Sequence, residues 1–283
     1  MLYVVATPIG NLEDITLRAL RVMREVNLIA AEDTRTTAKL LARYEINTPM
    51  TSFFEHNELV RQEDILRTLE TRDVALVAEA GMPTISDPGY RLVQAAIERG
   101  VQVVAVPGAS AVLTALAVSG LPTDSFVFLG FLPRRRVARQ RLLASVHNEP
   151  RTIICFEAPH RLLTALQDME QIFGDRQLAI ACELTKKYEE VWRGVVSGAI
   201  AYFRETRPRG EFTLVLAGVP GGEEPSWEEA HVRQALAQLI ESGVSRRDAA
   251  AQVSKMARWS KRAVYRLAVQ ERTCENARGG ANA

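Results

Sequence analysis

Residues able to do chemistry collect where short apolar runs give way to small, turn-forming residues. Three such junctions are Ala6-Thr7-Pro8-Ile9-Gly10-Asn11, Glu79-Ala80-Gly81-Met82-Pro83-Thr84-Ile85-Ser86-Asp87-Pro88-Gly89 and Pro107-Gly108-Ala109-Ser110-Ala111. Residues without bulk let the backbone approach a flat ligand. If each junction follows a parallel strand, all three lie on the carboxyl edge of one sheet, where open α/β sheets bind ligands. One such junction makes only a turn, but three on one edge point to a nucleotide-like ligand. No G-x-G-x-x-G follows a strand and no G-x-x-x-x-G-K-[ST] occurs, so the usual phosphate cradles are missing and a phosphate donor is not expected. Glu32, Asp33, His56 and Glu79 end the second, third and fourth apolar runs, on the same expected edge.

The elements that must position these residues are legible as alternation. Over the first 120 residues, short β-branched runs (Leu2 to Ala6, Leu28 to Ala31, Thr51 to Phe54, Val74 to Ala78, Val101 to Val106) alternate with amphipathic stretches (Asp14 to Glu25, Thr36 to Tyr44, Glu58 to Thr71, Pro88 to Arg99). That is the pattern of a parallel sheet covered on both faces. Asp87 and Pro88 read as N-cap and first residue of the fourth helix, and Gly100 closes it. Gly120-Leu121-Pro122 breaks the pattern. A second run follows, with strands at Phe126 to Phe131, Thr152 to Phe156, Leu178 to Glu183, Val191 to Val196 and Phe212 to Ala217, and helices at Arg136 to His147, Arg161 to Phe173 and Gly198 to Glu205. Its last two strands are expected to pair as antiparallel neighbours. After Pro220-Gly221-Gly222-Glu223-Glu224-Pro225 the chain turns to basic helix formers. The expected organisation is two α/β domains, 1–119 and 120–222, and a linker with a basic helical appendage, 223–283.

Thirty-five basic and 34 acidic residues leave a formal charge of +1, so attraction to nucleic acid must come from local patches. One patch is Arg134-Arg135-Arg136 with Arg139 and Arg141. The other is the appendage, with Arg233, Arg246, Arg247, Lys255, Arg258, Lys261, Arg262, Arg266 and Arg272. Cys155, Cys182 and Cys274 share no metal-ligand spacing and read as reduced thiols, no metal site is expected, and the start of the chain is unlike a signal peptide. No window approaches a membrane span, so the expectation is a cytoplasmic protein without membrane contact.

Taken in order, Ala6-Thr7-Pro8-Ile9-Gly10-Asn11-Leu12, Ala31-Glu32-Asp33-Thr34-Arg35, Ala80-Gly81-Met82-Pro83 with Ser86-Asp87-Pro88-Gly89, Val106-Pro107-Gly108-Ala109-Ser110-Ala111, Gly130-Phe131-Leu132-Pro133-Arg134 and Phe156-Glu157-Ala158-Pro159-His160-Arg161 resemble the ribosomal RNA methyltransferases of the tetrapyrrole-methylase superfamily. The resemblance runs over nearly the whole chain. It implies two α/β domains clasping S-adenosyl-L-methionine in the cleft between them, a homodimer, and 2'-O-methylation of a cytidine of 16S ribosomal RNA, as free RNA or in the 30S subunit. By motif position it places cofactor contacts on Pro8, Ala80, Gly81, Met82, Ile85, Ser110 and Ala111, with Glu157 and Leu184 as second-domain counterparts. Met82 departs from the pattern, which has Thr there, and a contact through the backbone survives that change.

Methylating a ribose hydroxyl requires the oxygen, carbon and sulfur to be held in line and a weakly acidic proton to be removed. Asp33, His56 and Glu79, with Glu32, are the candidate bases. Each also has a plain alternative: a helix cap or pair with Arg35 for Asp33, a solvated loop position for His56, and backbone hydrogen bonding for Glu79. In the tail, Gly243-Val244-Ser245-Arg246-Arg247-Asp248-Ala249-Ala250 and Trp259-Ser260-Lys261-Arg262-Ala263-Val264-Tyr265 suggest a helix-turn-helix-like module. It would pack Leu236, Leu239, Ala250, Val253, Val264 and Leu267 inside and dock RNA with its cations, with Trp259 either a base-stacking or a core residue. Two other functions share parts of this pattern: methylation of a tetrapyrrole or other small acceptor, and a ligand-sensing regulator that binds nucleic acid through the tail.

Overall fold

In the computed structural model, residues 1–54, 56–206, 208–219, 227, 229–257, 259 and 261–269 are described. The β-branched runs of the first half form five parallel strands, β1 (Leu2–Val5), β2 (Leu28–Ala31), β3 (Met50–Ser52), β4 (Val74–Val77) and β5 (Val103–Val106), in the order β3-β2-β4-β1-β5. Side chains alternate between the faces. Val5, Ala31 and Val77 pack under helices α1 (Leu17–Glu25) and α2 (Thr34–Arg43), whereas Leu2, Ala30 and Leu76 pack under α3 (Glu58–Leu69) and α4 (Tyr90–Glu98). Both faces are thus covered, as the continuous apolar runs require.

Helix α4 departs from the reading of its start. It begins at Tyr90 with Gly89 at the N-cap position, φ 121°, and Asp87 is left free of capping duty. Gly100 closes it as expected, with φ 71° and its N–H donated to the Ile97 carbonyl at 2.9 Å. A further helix, α5 (Ala111–Ser119), carried no amphipathic signal because it is apolar on nearly every side. It ends on Gly120 in the left-handed region and packs Val112, Ala115 and Leu116 on a second sheet.

That sheet contains β6 (Phe126–Phe131), β7 (Thr152–Glu157), β8 (Gln177–Cys182), β9 (Glu190–Val195) and β10 (Phe212–Leu216), in the order β6-β7-β10-β8-β9. It is mixed: β6 and β7 are parallel and the other pairs antiparallel. The expected pairing of its last two strands is corrected. β9 pairs with β8, and β10 inserts between β7 and β8. Ile153, Cys155, Ile180 and Leu214 face α6 (Arg136–Ser145), α7 (Leu162–Phe173) and α8 (Val196–Glu205), while Ile154, Ala179, Ala181 and Val215 meet α5. β10 is buried along its whole length because it is both central and covered on two sides.

The chain divides into two compact units, Met1–Val219 and Pro220–Ala283. The second contains α9 (Glu229–Glu241), a turn at Gly243 (φ 91°), α10 (Arg246–Ala257) and a helical run over 261–269. Ser245 caps α10, its hydroxyl accepting the Asp248 N–H at 3.2 Å. Val232, Leu236, Ala250, Val253, Val264 and Leu267 form its core, and Trp259 packs against that core as an anchor. Arg247, Lys255, Lys261, Arg262 and Arg266 are exposed, whereas Arg258, Arg272 and Cys274 lie outside the described residues. Among the described residues no helix is long and apolar enough to cross a membrane, and no cluster of His, Cys, Asp and Glu could hold a metal.

Candidate functional site

The loops after β1, β4 and β5 meet the edge of the second sheet around a cavity of about 620 Å³. The first two loops are joined as one piece. The Thr7 N–H donates to the Gly81 carbonyl at 2.9 Å, and the Gly81 N–H returns to the Thr7 carbonyl at 3.0 Å. Gly81 has φ 79°, a conformation open to glycine at no steric cost. The third loop presses against the first at Gly108, where a Cβ would lie 2.9 Å from the Ala6 Cβ. Ser110 then caps α5, accepting the Leu113 N–H at 3.4 Å. The first loop also reaches the loop that follows β8 of the second sheet, its Asn11 N–H donating to the Thr185 hydroxyl at 3.1 Å.

Pro8, Ala80, Gly81, Met82, Ile85, Ser110, Ala111, Glu157 and Leu184 all line this cavity, and so do Glu79 and Glu32. Asp33 and His56 are outside its lining. Asp33 caps α2, accepting the N–H groups of Arg35 at 2.7 Å and Thr36 at 3.3 Å, and these bonds hold its carboxyl below the ordinary range. His56 is exposed, with its ring edge-on to Phe54.

Sequence reasoning missed Asp87. Released from the helix cap, it lines the cavity beside Glu32 and Glu79. Burial, reinforced by those two negative charges, lifts its carboxyl to about 7. Burial also raises Glu32, which accepts the Glu79 N–H at 3.0 Å. The signal for Asp87 was present in Ser86-Asp87-Pro88-Gly89, but Asp before Pro has a simpler reading as a helix start. Thr84 (φ 75°) and Ser86 (φ 69°) flank this stretch in strained backbone, as Glu183 (φ 51°) and Thr185 (φ 66°) do across the cavity. Such positions cost about 1–3 kcal/mol each and gather where a ligand is gripped.

Glu157 is buried, and burial pushes its carboxyl up. Its Oε1 accepts the Ala158 N–H at 2.7 Å and lies 2.5 Å from an Arg161 nitrogen, while Oε2 has no partner among the described residues. Lys186 is the one cation in the described lining, and its ammonium is neutralised by Glu183 at 2.9 Å and Glu211 at 3.1 Å. The cavity therefore has apolar walls, from Phe131, Phe156 and Leu184, and an acidic edge. It suits a nucleoside-like ligand carrying positive charge and repels phosphates.

Of the second-domain arginines, Arg139 is corrected. It is buried against Asp168 at 2.6 Å and is not a solvated RNA-facing cation. Arg134, Arg135, Arg136 and Arg141 are exposed.

Two α/β sheets with a nucleoside-sized, acid-edged cavity at the edge of the parallel one are the arrangement of the methylase-type fold that its relatives identify. The family model described as Tetrapyrrole (Corrin/Porphyrin) Methylases matches residues 1–199. A uroporphyrin-III-C-methyltransferase from Thermus thermophilus superposes with a TM-score of 0.53 at 21% identity, over 78% of this chain and 95% of that one. A diphthine synthase gives 0.59 at 14% identity, over 76% and 89%. Closer in sequence are proteins named ribosomal RNA small subunit methyltransferase I. That of Synechocystis is 47% identical over 95% of this chain and 98% of the relative, and that of Thermotoga maritima is 53% identical over 77% and 98%. The chain belongs to the tetrapyrrole methylase family and, within it, to the group of ribosomal RNA small subunit methyltransferase I.

Proposed function

We propose that the chain transfers a methyl group from S-adenosylmethionine to the 2'-hydroxyl of a cytidine in 16S ribosomal RNA of the small subunit. The observation that carries this reading is the acid-edged cavity, whose lining includes every motif position expected to touch the donor. The donor fits by charge, because its sulfonium and ammonium groups complement Glu32, Glu79 and Asp87 and it brings no phosphate. It fits by size as well, since about 620 Å³ is within the range of cofactor pockets. When bound it supplies an electrophilic methyl group.

The residues of this chain do the rest. The joined loops at Thr7 and Gly81 offer backbone N–H and C=O groups at fixed positions, so alignment comes without side-chain rearrangement. Phe131, Phe156 and Leu184 give the donor apolar walls to pack against. Asp87, held near neutrality, takes the proton of the acceptor hydroxyl at its carboxylate, a better match to physiological pH than a carboxyl in its ordinary range. Burial, with the charges of Glu32 and Glu79, keeps it there, while Asp33, a helix cap, and His56 lie outside the cavity lining. Residues 1–119 and 120–222 act as the two halves of the clasp, and 223–283 supplies cations for RNA. The working form is a homodimer in the cytoplasm.

Labelled methyl transfer from S-adenosylmethionine to small subunits lacking the modification, followed by nuclease mapping, tests the reading. Label on a 2'-O-methylcytidine of 16S RNA supports it. Donor binding without transfer to RNA returns small acceptors to first place.

A further inference from the structure

A second cavity, of about 310 Å³, opens between α6 and α7 and is bordered by Arg134, Arg136, Arg139, Arg161, Thr164 and Asp168. Four guanidinium groups face the one carboxylate in its described lining. Two of the four are fixed. Arg139, 4% exposed, donates from Nε to Asp168 at 2.8 Å, and Asp168 is 1% exposed. Arg161 donates to the Leu132 carbonyl at 3.1 Å and pairs with Glu157. The other two are at the mouth. Arg136 reaches the second Asp168 oxygen at 3.0 Å with its side chain 69% exposed, and Arg134 is exposed. A buried ion pair gives little stability over apolar packing of the same volume, so packing alone does not account for this one. It does hold a guanidinium rigidly at the base of a cationic pocket.

The pocket is also placed beside the transfer site. Glu157 lines the larger cavity and Arg161 the smaller, so their ion pair is the partition between the two. Phe131 lines the larger cavity and Arg134 the smaller, and three residues of chain span at most about 10 Å. Guanidinium forks match phosphate oxygens, and a strand whose ribose enters the larger cavity carries a phosphate on either side of that ribose.

Building on the function proposed above, we propose that the Arg134–Arg136–Arg139–Arg161 pocket binds a backbone phosphate flanking the acceptor nucleotide and so sets which ribose enters the cavity. Arg134 and Arg136 close on the phosphate, while Arg139 and Arg161 form its preset floor. These are positioning residues, with no role in proton or methyl transfer.

The test uses the full chain with Arg134→Ala, Arg136→Ala, their combination, and Arg18→Ala on the exposed surface of α1 as the control for general charge. Arg139 is left intact because its loss would strand Asp168. Binding of small-subunit RNA is measured over a salt series, with the Kd for S-adenosylmethionine alongside. The double variant is expected to bind RNA about tenfold more weakly and to have a log–log salt slope shallower by about 0.7 for one lost single-strand phosphate, with donor binding unchanged. An unchanged slope in the double variant, or the same loss in Arg18→Ala, overturns the pocket while leaving methyl transfer to RNA standing. A wild-type protein that transfers no methyl to RNA overturns both.

Discussion

The Glu32 carboxylate accepts the backbone N–H of Glu79 at 3.0 Å, tying the carboxyl ends of β2 and β4 together and placing two negative charges near Asp87. Glu32→Gln keeps an acceptor for that N–H but removes one charge. Asp87 should then titrate below about 7, with burial still holding it above the ordinary range. The acidic limb of the kcat–pH profile reads this, and it should move to lower pH. A limb that stays in place would separate Asp87 from the proton transfer.

Asp87→Asn should lower kcat by about 10²- to 10⁴-fold, the usual contribution of a positioned base, and should also weaken S-adenosylmethionine binding, though by less, because it removes one of the three carboxylates that complement the donor's charge. It should also stabilise the fold. The Asp87 carboxyl titrates at about 7 when folded against 3.8 ordinarily, so the folded state holds its proton more tightly and wild-type stability falls as pH rises between those values. The Tm advantage of the variant should therefore be absent below pH 4, grow up to about pH 7 and stay level above.

Asp168→Ala would leave Arg139 buried without its carboxylate. The expected loss is about 3 kcal/mol, the low end for a broken buried pair because the adjoining cavity admits water, and urea denaturation measures it. Asp168→Asn, which retains an acceptor, should recover part of that loss.

Gly89→Ala should destabilise by about 1–3 kcal/mol, because φ is 121° and a Cβ would stand 2.6 Å from a Leu76 methyl in the core. The strained loop between Thr84 and Gly89 would shift with it, so donor affinity should fall together with Tm. Unchanged affinity would show that this loop does not grip the donor.

Replacing Lys261, Arg262 and Arg266 together by Ala removes three exposed cations from the second unit and leaves its core of Val264 and Leu267 in place. RNA binding should weaken and its salt dependence flatten, with donor binding untouched.

The features that were legible in the sequence are those with a local cause. β-branched runs and amphipathic helices placed nearly every element, and the Gly- and Pro-rich junctions located the cavity because strand ends of a parallel sheet must share an edge. The failures were non-local. α5 is buried against the second sheet and had no polar face to mark it, and the central place of β10 depends on partners far away in the chain. Arg139 reads like its solvated neighbours until Asp168, on another helix, is brought against it. Asp87 has a good local explanation as a cap, and only the packing of three strand ends makes it a shifted carboxyl.

The position of β10 between β7 and β8 bears on how the protein is made. During synthesis β7 and β8 emerge with open hydrogen-bonding edges and no neighbour to fill the gap between them, and from Glu157 to Phe212 a ribosome needs roughly 3–11 s. Through that interval the nascent sheet is split and its unpaired edges are open to aggregation or chaperone capture. Phe212 and Thr213, on the late strand, also line the larger cavity. A chain stalled before residue 212 therefore lacks part of the wall of that cavity, so the proposed donor site is completed only when the last strand of the sheet is in place.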